Sequence, residues 1–272
     1  MTVTRVHHLD CCTMCPRLGR VNSERTFVGH VLAVETEQSG VILVDTGIGA
    51  AARANPERIL GRGFTTMFRP DLDPDRSARR QLERLGLADE VRHVIVTHLD
   101  VDHAGGLSDF PGATVHVHRD ELAAATRPGS LNERLRYRSI LWDHVPRFEP
   151  FGPSGEAWFG FEAARQLRGL PDDLVAIPLP GHTRGHVAVA VGGPSGWLLH
   201  CGDAYFHHGA IRRGSAVPAA NRRFERAVAA DWKRVQRNHE RLTALAEAHR
   251  PDVRLISAHD PDEFRELADP PA

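Results

Sequence analysis

The chain has 272 residues, 41% hydrophobic and 25% charged, enough to bury a full core as one large domain or two small ones. A formal net charge of −1 gives no global field toward nucleic acid or an anionic membrane. No run approaches the ~20 apolar residues of a membrane helix, and the N-terminus carries no basic-then-apolar leader. A cytoplasmic protein with no membrane or nucleic-acid partner is expected, and nothing in the pattern fixes its oligomeric state.

Residues 1–20 read as an irregular entry. Cys11, Cys12 and Cys15 crowd into it, too close together for a disulfide framework. With Cys201 they are expected to be reduced thiols. Strand-like runs at 28–35 and 41–45 read as a hairpin, the second ending in Asp45-Thr46-Gly47. Residues 49–74 show no clean periodicity and read as a loop. A helix is expected over 75–87, with Asp75 as N-cap and Ala78, Leu82 and Leu85 on one face.

The run 93–96 is short, apolar and β-branched, as a buried strand should be. It passes directly into Thr97-His98-Leu99-Asp100-Val101-Asp102-His103-Ala104-Gly105-Gly106. Four potential metal ligands within six residues, at the end of a strand, point to a site at a sheet edge. A strand over 113–118 and a short helix over 119–126 follow. Residues 128–172 scatter Trp142, Phe148, Phe151, Trp158, Phe159 and Phe161 among Pro and Gly. That composition fits either plain core or a cap beside the site.

A strand at 175–179 ends at Pro180-Gly181-His182-Thr183-Arg184-Gly185-His186, and a hairpin over 187–200 ends at Cys201-Gly202-Asp203. One long helix is expected over 221–249. A last strand, 253–256, ends at Ser257-Ala258-His259-Asp260. Five strand ends thus carry acids or imidazoles, and no linker divides the chain. A single domain over 1–272 is expected, with 128–172 as a cap or insertion.

These motifs, in this order, resemble the metallo-β-lactamase superfamily over nearly the full length. The resemblance implies an αββα sandwich, four layers of α/β structure with a two-metal site between the sheets. Carried over by position, one metal would take His98, Asp100 and His182. The other would take Asp102, His103 and His259, with Asp203 bridging. Asp45 and His186 would support the ligands without binding metal. The chain departs from the family pattern His-x-His-x-Asp-His at one place, where the second His is Asp100. A carboxylate there adds negative charge and hardens the site. Zinc is the expected ion, with iron or manganese as alternatives, since the flavodiiron branch carries Glu at that position and holds iron.

Leu9-Asp10-Cys11 and the chain length are most similar to the lactonase-like branch. That likeness implies a hydrolase opening a lactone, ester or thioester carbonyl of a small molecule through a hydroxide bridging two ions. Asp102 would orient the hydroxide. Lactonases of this type place a Tyr three residues beyond the bridging acid. Tyr205 stands two beyond Asp203 and is the candidate to polarise the substrate carbonyl. The rival readings are a non-haem diiron oxidoreductase, a phosphodiesterase or nuclease of the same fold, and a non-catalytic binding module.

Overall fold

The computed structural model describes residues 2–152, 156–161 and 165–268. These form two mixed sheets. The first has the order β1 (Val3–Asp10), β2 (His30–Thr36), β3 (Gly40–Val44), β4 (Val91–Ile95), β5 (Thr114–His118), β6 (Phe148–Phe151). Its pairings are antiparallel from β1 to β3 and parallel from β3 to β6. The second runs β11 (Val253–Ile256), β10 (Gly196–His200), β9 (Val187–Gly193), β8 (Leu174–Pro178), β7 (Arg165–Gln166). It is antiparallel except for β10 with β11.

Side chains alternate across a strand, and that alternation sorts the core into three layers. Leu32, Val34, Ile42, Val44 and Ile95 of the first sheet meet Leu174, Ala176, Val187, Val189 and Ile256 of the second. The opposite faces bury Ala33, Leu43, Val94 and Val115 under Ala52, Leu82 and Ala124, and Ile177, Ala188, Leu199 and Val253 under Leu242 and Leu245. Helices therefore cover the outer face of each sheet, which is the αββα sandwich expected. On the first sheet these are α1 (Ala50–Ala54), α2 (Arg62–Phe68), α3 (Ala78–Leu85), α4 (Val101–Ala104) and α5 (Arg119–Thr126), and the more exposed α6 (Leu131–Arg136) lies against α5. Phe224 of α7 (Ala219–Val228) also packs into the core under the first sheet, the second sheet carries α8 (Trp232–Ala248), and α9 (Pro261–Arg265) follows the last strand.

The structure corrects four local readings. Residues 3–10 form an edge strand instead of an irregular entry. The loop at 49–74 is largely helical, with a π-turn at Glu57–Gly61 leading into α2. Asp75 is not the cap of α3: the Ser77 hydroxyl accepts from Arg80 N–H, while Asp73 caps the short turn before it. The helix expected over 221–249 is two helices, α7 and α8, with Asp231 capping the second.

The stretch 128–172 divides. Phe148 and Phe151 belong to β6 and Trp142 joins the core under the first sheet. Trp158, Phe159 and Phe161 pack against the second sheet beside Trp197. Residues 153–155 and 162–164 lie outside the described residues. The four cysteines are unpaired, with Cys11, Cys12 and Cys201 buried and Cys15 exposed.

Candidate metal centre

Each side chain of the site sits just beyond the C-terminal end of a strand. After β3, Asp45 takes a left-handed backbone (φ 62°), a strained conformation for a residue with a Cβ. Its carboxylate accepts Thr97 N–H at 2.7 Å, the Thr97 hydroxyl at 2.8 Å and His103 Nδ1–H at 2.8 Å. With the Thr97 proton engaged there, Oγ1 accepts from His98 Nδ1 at 3.0 Å. One buried carboxylate thereby sets the tautomers of two imidazoles, leaving both Nε2 lone pairs facing inward. His259 is oriented the same way, Nδ1 donating to Val28 O at 2.7 Å. His186 faces elsewhere: Nε2 accepts Asp203 N–H at 2.9 Å and Nδ1 donates to Leu179 O at 3.1 Å. A Cβ at Gly202 would lie 2.6 Å from His186 Nε2, so that close approach requires glycine.

Three overlapping triads have potential ligand atoms within 4.8 Å of one another: His98, Asp100 and His182; His98, His103 and Asp203; Asp102, His103 and His259. Asp203 joins the sides. Its Oδ1 is 3.1 Å from both His103 Nε2 and His259 Nε2, and its Oδ2 is 3.3 Å from His182 Nε2. Despite those approaches, Asp203 Oδ1 and His98 Nε2 are buried with no hydrogen-bond partner. His103 Nε2 and His259 Nε2 face one another at 3.3 Å. Lone pairs turned toward each other in a buried space are costly unless a cation lies between them. The residues fit two divalent ions, and His98, Asp100, Asp102, His103, His182, Asp203 and His259 are the ones that could hold them.

Three supports were not legible in the sequence. Glu121, fully buried on α5, accepts Leu99 N–H at 3.0 Å, Gly185 N–H at 3.1 Å, the Thr183 hydroxyl at 2.7 Å and the Tyr137 hydroxyl at 2.9 Å. It ties the His98–His103 loop to the His182 loop. A Cβ at Gly185 would fall 2.1 Å from Glu121 N. The break between α7 and α8 holds the same loop from the other side: Ala230 N–H and Asp231 N–H donate to His182 O and Gly181 O. Arg136, at the end of α6, donates Nε to both Asp100 oxygens at 2.7 and 3.0 Å and Nη2 to His182 Nε2 at 2.7 Å.

Charge at the centre is unbalanced. Burial opposes ionisation of Asp100, yet Arg136 and the neighbouring imidazoles outweigh it and hold its pKa well below the ordinary range. Burial likewise opposes the charge on Asp203, and four surrounding histidines still pull its pKa down. His182 is pushed down to about 4 by burial and then by the Arg136 charge, so it is a neutral donor. Burial disfavours a charged His103, but Asp203, Asp45 and Asp102 raise it well above its usual value. Asp45, Asp100, Asp102 and Asp203 against Arg136 and the charge drawn onto His103 and His259 still leave an excess of negative charge that added cations relieve.

Above this floor opens a cavity of about 650 Å³ whose apolar walls include Leu60, Phe64, Phe68, Phe206 and Phe224. Phe206 stacks on the His259 ring at 5.1 Å and lies 5.7 Å from that of His182. Tyr205 is not brought to this cavity, which corrects its expected catalytic role. Its ring is buried in the core of the second sheet and its hydroxyl donates to Glu263 at 3.0 Å. The register is the reason: Phe206, one residue on, faces the site. His207 and His208 gather at Asp260, whose oxygens already accept four N–H donors.

This fold with this centre defines a metal-dependent hydrolase. The chain belongs to the metallo-beta-lactamase superfamily, whose family model matches residues 25–236. It is 41% identical over 262 residues to a "Probable metallo-hydrolase" of Mycobacterium tuberculosis, covering 96% of this chain and 82% of that one. It is 27% identical over 240 residues to the N-acyl homoserine lactonase AttM of Agrobacterium fabrum, covering 84% and 80%. Among solved structures, an N-acyl homoserine lactone hydrolase with N-hexanoyl-L-homoserine at its catalytic metal centre superposes with a TM-score of 0.73. That match is 22% identical and covers 98% of this chain and 97% of that one. Among the described residues no helix is long and apolar enough to cross a membrane.

Proposed function

We propose that this chain, as one domain, hydrolyses a lactone or related ester-type carbonyl bond in a small molecule with an apolar substituent. The carrying observation is the set of seven ligand-type side chains, four of which, Asp100, Asp102, His182 and Asp203, line an apolar cavity. Similarity to proteins named as N-acyl homoserine lactonases supports the same reading. Zinc is the first choice of ion, with iron or manganese as alternatives because Asp100 stands where an imidazole is usual.

His98, Asp100 and His182 would hold one ion, Asp102, His103 and His259 the other, and Asp203 both. Bound there, two divalent ions would supply a Lewis acid for the carbonyl and a water acidified toward pKa ~7. Asp102, facing His259 Nε2 at 3.6 Å and lining the cavity, is placed to orient the nucleophile. Phe206, Phe68 and Phe224 would seat the apolar substituent and exclude water. Asp45, Glu121 and His186 hold the ligands in place. The unpaired cysteines fit a reducing compartment such as the cytoplasm.

The test is the metal content of protein purified without chelator, followed by a panel of acyl lactones, thioesters, lactams and phosphodiesters. About two ions per chain with turnover of acyl lactones is expected. Oxygen consumption with bound iron, or phosphodiester cleavage without lactone turnover, overturns the proposal. In Asp100→Ala the count should fall from about two toward one; two tightly held ions would show that Asp100 is not a ligand.

A further inference from the structure

Arg136 shares the floor of the centre, and almost all of its donors are engaged within the protein. Nε reaches both oxygens of Asp100, and Nη1 donates to His182 O at 3.0 Å and Val228 O at 2.9 Å. Nη2 faces His182 Nε2. Side-chain exposure is 12% for Arg136 and 16% for Asp100. Two backbone carbonyls, neither depending on Asp100, fix the guanidinium where it stands. It therefore delivers a positive charge beside the one ligand position that carries an extra negative charge. A buried guanidinium or carboxylate left alone is costly, whereas the pair offset one another.

We propose that Arg136 is the built-in countercharge for Asp100. Together the two carry the net charge of the imidazole they replace, and so set the cation affinity of the position shared by His98, Asp100 and His182. This rests on the two-metal reading above. The Arg136 N–H groups directed at Asp100 and His182 have protein acceptors, so it acts on the centre through these two ligands, as a positioning residue. It also competes with a cation for the His182 lone pair.

The experiment compares four chains: the parent, Asp100→His, Arg136→Gln, and the double variant. Zinc per chain and its affinity are measured by chelator competition, and stability by thermal unfolding of the metal-free protein. The position in question is the one that Asp100→Ala empties. Net charge predicts the order of affinity: Arg136→Gln tightest, parent and double variant within about threefold of each other, Asp100→His weaker than the parent by about tenfold or more. Metal-free stability should be non-additive, each single variant losing stability that the double variant regains. Arg136→Lys, which keeps the charge without the fork, should follow the parent in affinity and serves if Arg136→Gln does not fold.

Asp100→His binding zinc as tightly as the parent overturns the proposal. So does weaker binding in Arg136→Gln, which would make Arg136 a scaffold and not a countercharge, or strictly additive stability. A parent chain that takes up no metal overturns the two-metal reading as well, whereas the other failures leave it standing.

Discussion

The Thr183 hydroxyl donates to the Glu121 carboxylate at 2.7 Å, joining residues 62 apart in sequence. The same carboxylate holds Leu99 N–H, so two ligand loops share one buried acceptor. Glu121→Gln replaces one acceptor oxygen with a donor facing other donors. It should cost about 2–3 kcal/mol of metal-free stability and loosen metals held through His98 and His182. Thermal unfolding with and without zinc measures both. Unchanged melting and unchanged metal retention would mean the loops hold their shape without this link.

Asp45 accepts from His103 and, through Thr97, orients His98. Asparagine at this position cannot accept every donor, and its amide N–H competes for the imidazole tautomers. Asp45→Asn should weaken metal binding by about 10–100-fold, read by chelator competition, while circular dichroism stays that of the parent. Parent-like affinity would remove Asp45 from the metal centre.

Much of this site was legible because the chemistry sits at strand ends. The periodic runs before Asp45, His98, His182, Asp203 and His259 mark strands, and ligand types at five such ends converge in any fold that aligns the strands. The helix break at Ala229 and Ala230 was not legible, since both have high helix propensity. It exists because Ala230 and Asp231 N–H groups bond the His182 loop, a tertiary demand. Arg136 was hidden for a different reason: among 34 basic residues nothing local distinguishes the one facing Asp100. Edge strand β1 was missed because its exposure pattern is irregular, with three successive residues, Thr4, Arg5 and Val6, not fully buried. Tyr205 was misplaced by one residue of register, enough to exchange the cavity for the core.

That placement predicts a stability effect and not a catalytic one. Tyr205→Phe removes a buried hydroxyl from Glu263 and should cost about 1–2 kcal/mol. Metal-loaded turnover should stay within about twofold of the parent. A fall in kcat of a hundredfold with unchanged metal content would return Tyr205 to the reaction.

Glu263 makes the last prediction, one of pH. It is 1% exposed, and it accepts Ser257 N–H at 2.8 Å and the Tyr205 hydroxyl at 3.0 Å. Burial, with Asp260 adding to it, pushes its carboxyl up from an ordinary 4.5 to about 7, against the pull of Ser257 N–H and Arg212. A folded state that binds the proton more tightly than the unfolded chain loses stability as pH rises between those two values. The contribution is fully present below about pH 4.5 and gone above about 7. Glutamine mimics the protonated acid and does not titrate. The stability of the parent relative to Glu263→Gln should therefore fall by roughly 2–4 kcal/mol across that window and level off above it. Urea unfolding of both metal-free chains from pH 4 to pH 8 measures the difference. A gap that is flat, or that widens in the parent's favour as pH rises, would mean that Arg212 and Ser257 keep Glu263 ionised throughout.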